Sequence, residues 1–219
     1  MQYHEKYILN DKNTEKEILE QVFDNQKITP DNFYRTGYEY IPFARERRFA
    51  LETVITSVVD LNRNIIIFDS GKESSLPVEI CLKNDIKYSI VNAKDNKADI
   101  GLLERLLSDS GTFSHVCISL TNESLYNFDL GETIKLISRN NLGIIIDYSG
   151  DVKNLVDIDI NSFDFLASNT NKDDVSFVAA RRSKLVQTEG NARSYSMDLY
   201  GFWQETLKSR HRAIRPVAF

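Results

Sequence analysis

The chain has 219 residues, a net charge of −5 and 42% hydrophobic content, which suits one sizeable α/β domain rather than a disordered or fibrous chain. The slight acidity argues against a nucleic-acid footprint, and no apolar run approaches the ~20 residues a membrane helix needs. Cys81 and Cys117 lie inside apolar patterns and read as buried free thiols of a reducing compartment. The start, Met1-Gln2-Tyr3-His4, has no apolar stretch behind it, so the expectation is a cytoplasmic protein without a signal peptide.

In chain order, residues 15–23 have helical spacing after a cap within Asp11–Thr14. Tyr38–Phe43 alternates as a short strand. Ala50, Leu51, Val54, Ile55, Val58 and Val59 form a helical stripe. Asn64–Asp69 is a continuous apolar run, the mark of a strand buried on both faces. Helices are predicted over 76–84, 100–107, 130–139 and 196–207. Strands are predicted over 88–91, 115–120, 142–147, 163–168 and 176–180. This alternation implies βαβ units, a mainly parallel sheet covered on both sides, and ligands at the carboxyl ends of the strands. Asp147 falls at such an end, and Lys172 follows the next strand.

A strand-end Asp and a Lys beyond the next strand suit pyridoxal phosphate. The Lys amine forms a Schiff base with the cofactor aldehyde, and the Asp holds the pyridine nitrogen protonated. Taken singly, a solvated Lys and a helix-capping Asp are the plainer readings. Glycine is scarce, nine residues where average usage gives about fifteen. That scarcity bears on any phosphate cradle, because such cradles are commonly glycine-rich turns.

Asn191-Ala192-Arg193-Ser194-Tyr195-Ser196-Met197-Asp198-Leu199-Tyr200-Gly201-Phe202-Trp203 resembles the "SRSLSLDLYDQW" stretch of 2-aminoethylphosphonate–pyruvate transaminases, which are class V, fold type I enzymes. Asp164–Lys172 is similar to their "DFLISSANK", Gly143–Ser149 to "IVDAMSS", His115-Val116 with Asn127 to "THV…TGILNP", and Phe49–Thr53 to "FAVEA". The resemblance runs from about residue 15 to the last residue. It implies one large domain over 1–219, a three-layer αβα arrangement around a mainly parallel seven-stranded sheet, with the family's small C-terminal domain missing. It also implies Lys172 as the catalytic lysine and Asp147 as the ring-nitrogen partner, with Thr121 and Ser124 in the neighbouring cofactor loop.

Several positions depart from the family pattern. Arg45-Glu46-Arg47-Arg48 stands where a "GSGT" turn cradles the phosphate, so either Arg47 or Arg48 binds the anion by charge or the cup is lost. Phe68–Ser74 carries no aromatic where one covers the ring. Thr121-Asn122-Glu123-Ser124 replaces "TTTG", and Asp173 and Asp174 beside Lys172 are expected to keep its amine protonated.

Three readings follow. The first is a truncated, degenerate homologue with impaired or lost catalysis, acting by association as a homodimer or with a full-length transaminase. The second is an active aminotransferase moving an amino group from an aminophosphonate-like donor to a 2-oxo acid such as pyruvate. A partner subunit would then supply missing groups, with Arg47, Arg48, Arg193 and Arg215 as anion-binding candidates. The third is a binding module that reuses the cleft for another anion. No metal spacing is present.

Overall fold

The computed structural model describes residues 7–8, 37–69, 76–94, 97–109, 111–121, 130–150, 162–169 and 175–212. The predicted helix over 15–23 lies outside them, as do Ser124, Lys172 and Arg215.

In chain order the elements are β1 (Tyr38–Phe43), α1 (Arg47–Val58), β2 (Asn64–Asp69), α2 (Leu76–Lys83), β3 (Tyr88–Lys94), β4 (Lys97–Ala98) and α3 (Ile100–Ser108). They continue with β5 (Phe113–Leu120), α4 (Leu130–Arg139), β6 (Gly143–Tyr148), β7 (Phe165–Asn169), β8 (Ser176–Arg181), α5 (Arg182–Leu185) and α6 (Leu199–Arg212). The sheet order is β1-β8-β7-β6-β5-β2-β3-β4. From β7 to β3 all neighbours are parallel, whereas β8 runs antiparallel to both β7 and β1. The seven expected strands are all present, and the two-residue β4 adds an antiparallel edge to β3.

Alternation along the strands divides the core into two layers. Ile66, Phe68, Val116, Ile118, Ile144 and Ile146 face Leu103, Leu107 and Ile137 of α3 and α4. Ile65, Ile67, Cys117 and Ile145 face α1, α2 and α6 through Val54, Ile55, Ile80 and Phe202. Central strands buried on both faces explain why their sequences are continuous apolar runs.

Helix α1 departs from the stripe its sequence suggests. Every residue from Ala50 to Val58 is buried, including Glu52, Thr53, Thr56 and Ser57. Its polar side is clasped by the segment 191–199. The Ser57 hydroxyl donates to the Met197 carbonyl at 2.7 Å and accepts from the Leu199 N–H at 3.0 Å. The Asn191 amide donates to the Ser57 carbonyl, and the Arg193 N–H to the Thr56 carbonyl. These bonds satisfy polar groups that burial would otherwise leave costly. The 191–203 segment, the most distinctive stretch of the sequence, therefore serves as the clamp that fixes α1.

The amino end of α1 is held separately. Phe49 meets Phe43 and Phe202 edge-on, with ring centroids 5.5 and 5.7 Å away. The Ser176 hydroxyl donates to the Glu46 carbonyl at 3.2 Å. A buried helix pinned at both ends holds its first residues at a fixed place beside the sheet.

Candidate functional site

That place is the carboxyl edge of β6. Asp147 is the fifth residue of the strand and only 2% exposed. Its side chain lies on the same face of the sheet as α1, and its parallel-register partners are Ser119 on β5 and Ala167 on β7. One carboxylate oxygen, Oδ2, accepts the Ser119 hydroxyl at 3.2 Å. The other, Oδ1, is paired with Nη1 of Arg47, the first residue of α1. The Arg47 side chain is 21% exposed, whereas that of Asp147 is 3% exposed.

Burial pushes the Asp147 carboxyl above its ordinary value, and the charge and hydrogen bond of Arg47 and the Ser119 hydroxyl oppose that rise. Cys117, on the same sheet face, is held protonated first by burial and then by the negative Asp147. Cys81 is pushed up to about 12 by burial, so neither thiol offers a thiolate nucleophile.

The remaining predicted site residues are dispersed. Arg48 points away from Asp147 to an exposed ion pair with Glu79 at 2.9 Å. Thr121 follows β5 and is exposed. Arg193 lies toward the far end of α1, where its N–H bonds the Thr56 carbonyl, about 13 Å along the helix from Arg47. Phe68, which the sequence does not place over a cofactor ring, is core, at 2% exposure. Lys172 lies outside the described residues, but β7, the strand before it, ends at Asn169 on the same edge of the sheet as Asp147.

A cavity of about 500 Å³ opens beside the amino end of α1, lined by Arg45, Glu46, Arg48, Phe49, Glu52 and Lys83 with Ala44. Asp147 and Arg47 are not among its walls. Among the described residues no group of three or more His, Cys, Asp or Glu could hold a metal ion. No described helix is long and apolar enough to cross a membrane.

Sequence reasoning missed two features of this site. One is Ser119, which direct alignment of the parallel strands would have placed opposite Asp147. The other is the Arg47 partner, 100 positions away in sequence, which no local pattern signals.

The architecture is that of the large domain of fold type I aminotransferases. Ureidoglycine–glyoxylate aminotransferase from Bacillus subtilis superposes with a TM-score of 0.59 at 10% identity, covering 97% of this chain and 63% of its own. An aminotransferase from Anaerococcus prevotii gives 0.55 at 11% identity, covering 98% and 60%.

In sequence the chain resembles 2-aminoethylphosphonate–pyruvate transaminases. It is 24% identical over 176 residues to transaminase 2 of Burkholderia lata, covering 76% of this chain and 46% of that protein. It is 26% identical over 172 residues to the Bacteroides fragilis enzyme, covering 74% and 47%. The bifunctional phosphonoacetaldehyde hydrolase/aminoethylphosphonate transaminase of Clostridioides difficile is 25% identical over 170 residues, covering 74% and 27%. The matched region thus amounts to half or less of these relatives' length. No family model matches the chain.

Proposed function

We propose that this chain keeps the aminotransferase large-domain frame but has lost, or severely impaired, pyridoxal phosphate catalysis, and that it acts by association. The supporting observation is the Arg47–Asp147 ion pair. In the resemblance, Asp147 is the partner of a protonated ring nitrogen. Here its Oδ1 already holds a cation supplied by the chain itself. The same substitution places a long side chain at the first turn of α1, where the resemblance calls for glycine backbone to approach a phosphate. A pyridoxal phosphate ring does not fit beside Asp147 while Arg47 is there. A cofactor would have to displace a charge pair and enter without the glycine cradle.

The partner on this reading is a second copy of the chain or a full-length transaminase. The free surface for such contact includes the charged cavity at Arg45, Arg48 and Lys83 rather than Trp203, which is only 7% exposed within the chain itself.

The second reading, an active aminotransferase passing an amino group from an aminophosphonate-like donor to a 2-oxo acid, is favoured by the names of the sequence relatives and by the retained position of Asp147. It requires Arg47 to swing away on loading.

The deciding experiment is a titration of the whole protein with pyridoxal phosphate, followed by visible absorbance, with Lys172→Ala alongside. No saturable band in either protein is the expected result. A saturable band present in the wild type and lost in Lys172→Ala would overturn the proposal and establish the enzyme reading. Sedimentation of the protein alone across a concentration series tests the association.

A further inference from the structure

We infer that the pocket beside Asp147 is a guanidinium site, filled from within the chain by Arg47, and that it takes a free guanidinium-class monocation when that side chain is shortened. The inference rests on the reading that Arg47 answers Asp147 in place of a cofactor.

Four observations carry it. First, the carboxylate is enclosed, 3% exposed at its side chain, on a central strand that packing holds still. Second, its two oxygens are committed to different partners: Ser119 fixes Oδ2 at 3.2 Å, which leaves Oδ1 aimed at the opening where Arg47 enters. Third, the neighbours on the two adjacent strands are small or neutral. The register partner on β7 is Ala167, fully buried, and the neighbour on β5 is the Cys117 thiol, held protonated. No second acid or base among these competes for the cation. Fourth, the cation reaches the carboxylate on a flexible stem from the end of a helix, with a fifth of its side chain in solvent. The carboxylate and its hydroxyl partner are thus supplied by the sheet, and the cation by α1.

A guanidinium suits this space because it is planar, weakly hydrated and permanently charged, and it carries N–H donors at fixed angles for the enclosed oxygen. An ammonium of equal charge is compact and strongly hydrated, so it loses more on entering. Truncating residue 47 leaves a buried carboxylate facing a vacancy of guanidinium shape. Occupying that vacancy restores the lost pairing and raises stability by mass action.

The test uses the full chain carrying Arg47→Ala. Its thermal midpoint is followed against ethylguanidinium chloride below denaturing concentrations and against tetramethylammonium chloride at the same ionic strength. The expected result is a saturable rise with ethylguanidinium alone, absent from the wild type and from Arg47→Ala/Asp147→Asn. Equal responses to both salts, or an undiminished rise in the double variant, would overturn the inference.

If Arg47→Ala does not fold, arginine side-chain NMR of the wild type decides instead. One guanidinium with slowed hydrogen exchange should disappear in Asp147→Asn, and its persistence there would equally overturn the site. The outcome separates cleanly from the cofactor question. Wild-type binding of pyridoxal phosphate breaks the functional proposal whatever the salts do. Failure of rescue without cofactor binding breaks only this inference.

Discussion

Two carboxylates on the same face of the sheet are each buried and each answered by arginine, yet they sit at opposite ends of the strands. Glu39, near the start of β1, is 3% exposed and takes Arg182 at 2.6 Å and Arg210 at 3.3 Å. Both arginines come from helices that also bond the β1 region by other groups: the Arg182 N–H reaches the Gly37 carbonyl, and Arg210 donates to the Tyr40 carbonyl at 2.6 Å. Glu39 thereby fastens α5 and α6 to the edge strand. Asp147 lies at the carboxyl edge, has one cation among the described residues, and receives it from the first residue of α1. Burial and pairing are alike in the two regions. What differs is position: the carboxyl edge is where α/β sheets place ligands, so on the proposed reading the same kind of ion pair fastens helices at one end and fills a candidate ligand position at the other.

The largest effect that sharpens this contrast is expected at Arg47. Arg47→Met leaves the buried carboxylate with the Ser119 hydroxyl as its one partner among the described residues, and breaking such a pair costs about 3–5 kcal/mol at neutral pH. The pH sign is distinctive. The native Asp147 pKa already lies above its unfolded value. Removing the guanidinium raises it further, so the native state takes up the proton first as pH falls. The deficit of Arg47→Met relative to wild type therefore shrinks on acidification, because protonation removes the unpaired charge. Urea unfolding at neutral and mildly acid pH measures this directly. A deficit that is independent of pH would mean that Arg47 contributes packing rather than charge.

Glu39→Gln is expected to cost less, about 1.5–3 kcal/mol, because it removes a charged acceptor but leaves an amide that can still bond one arginine. The Arg182 side chain, 47% exposed, returns readily to water. If Glu39→Gln instead proved as costly as Arg47→Met, the distinction between fastening and site would lose its energetic support.

Much of this frame was legible in the sequence. Ile65-Ile66-Ile67 and Ile144-Ile145-Ile146 read as strands buried on both faces, and the structure pairs both with β5. Asp147 at a strand end was legible for the same reason, since a strand predicted over 142–147 puts it at the carboxyl edge. Two things were not. Glu52, Thr53, Thr56 and Ser57 look like a solvent face of α1, but they are buried because partners come to them from elsewhere in the chain: Lys83 and Asn84 to the Glu52 carboxylate, and residues 191–199 to Thr53, Thr56 and Ser57. The sequence leaves open whether Arg47 or Arg48 binds an anion or the cup is lost and the two are merely charges, and it does not show that the first turn of α1 sends one to Asp147 and the other to Glu79. Adjacent helical residues point about 100° apart, so a run of like charges need not act together.

A third test uses the amino edge of the same two strands. His115 on β5 lies opposite Gly143 on β6, and a Cβ at 143 would collide with the imidazole, so glycine is required for the ring to pack. Burial, aided by the positive Lys184 and Arg63, pushes His115 from 6.5 down to about 3. The unfolded chain therefore takes up this proton first. His115 contributes stability that is complete above pH 6.5 and is lost as pH falls toward about 3, with a slope of at most about 1.4 kcal/mol per pH unit. This runs opposite to the Arg47→Met difference profile, so the two ends of β5 and β6 should respond to acid with opposite signs. His115→Asn should flatten the stability profile over that window, and an unchanged slope would assign acid sensitivity elsewhere.

The smallest expected effects concern the turns that lead into these strands. Glycine scarcity has a local consequence here: the chain leaves α2 through Asp85 at φ 53° and α4 through Asn141 at φ 56°, left-handed positions that glycine fills at lower cost. The two should not respond equally. Asn tolerates this conformation best among the residues with a Cβ, and glycine also adds freedom to the unfolded chain, so Asn141→Gly should gain only a few tenths of a kcal/mol. Asp85 places a carboxylate just beyond the last turn of α2, where the helix dipole is negative. Asp85→Gly relieves both the backbone and the charge and should gain roughly 1 kcal/mol. Thermal midpoints at low and high salt separate the two contributions. The advantage of Asp85→Gly over Asn141→Gly should narrow as salt screens the dipole, and a constant gap would put the whole difference in the backbone.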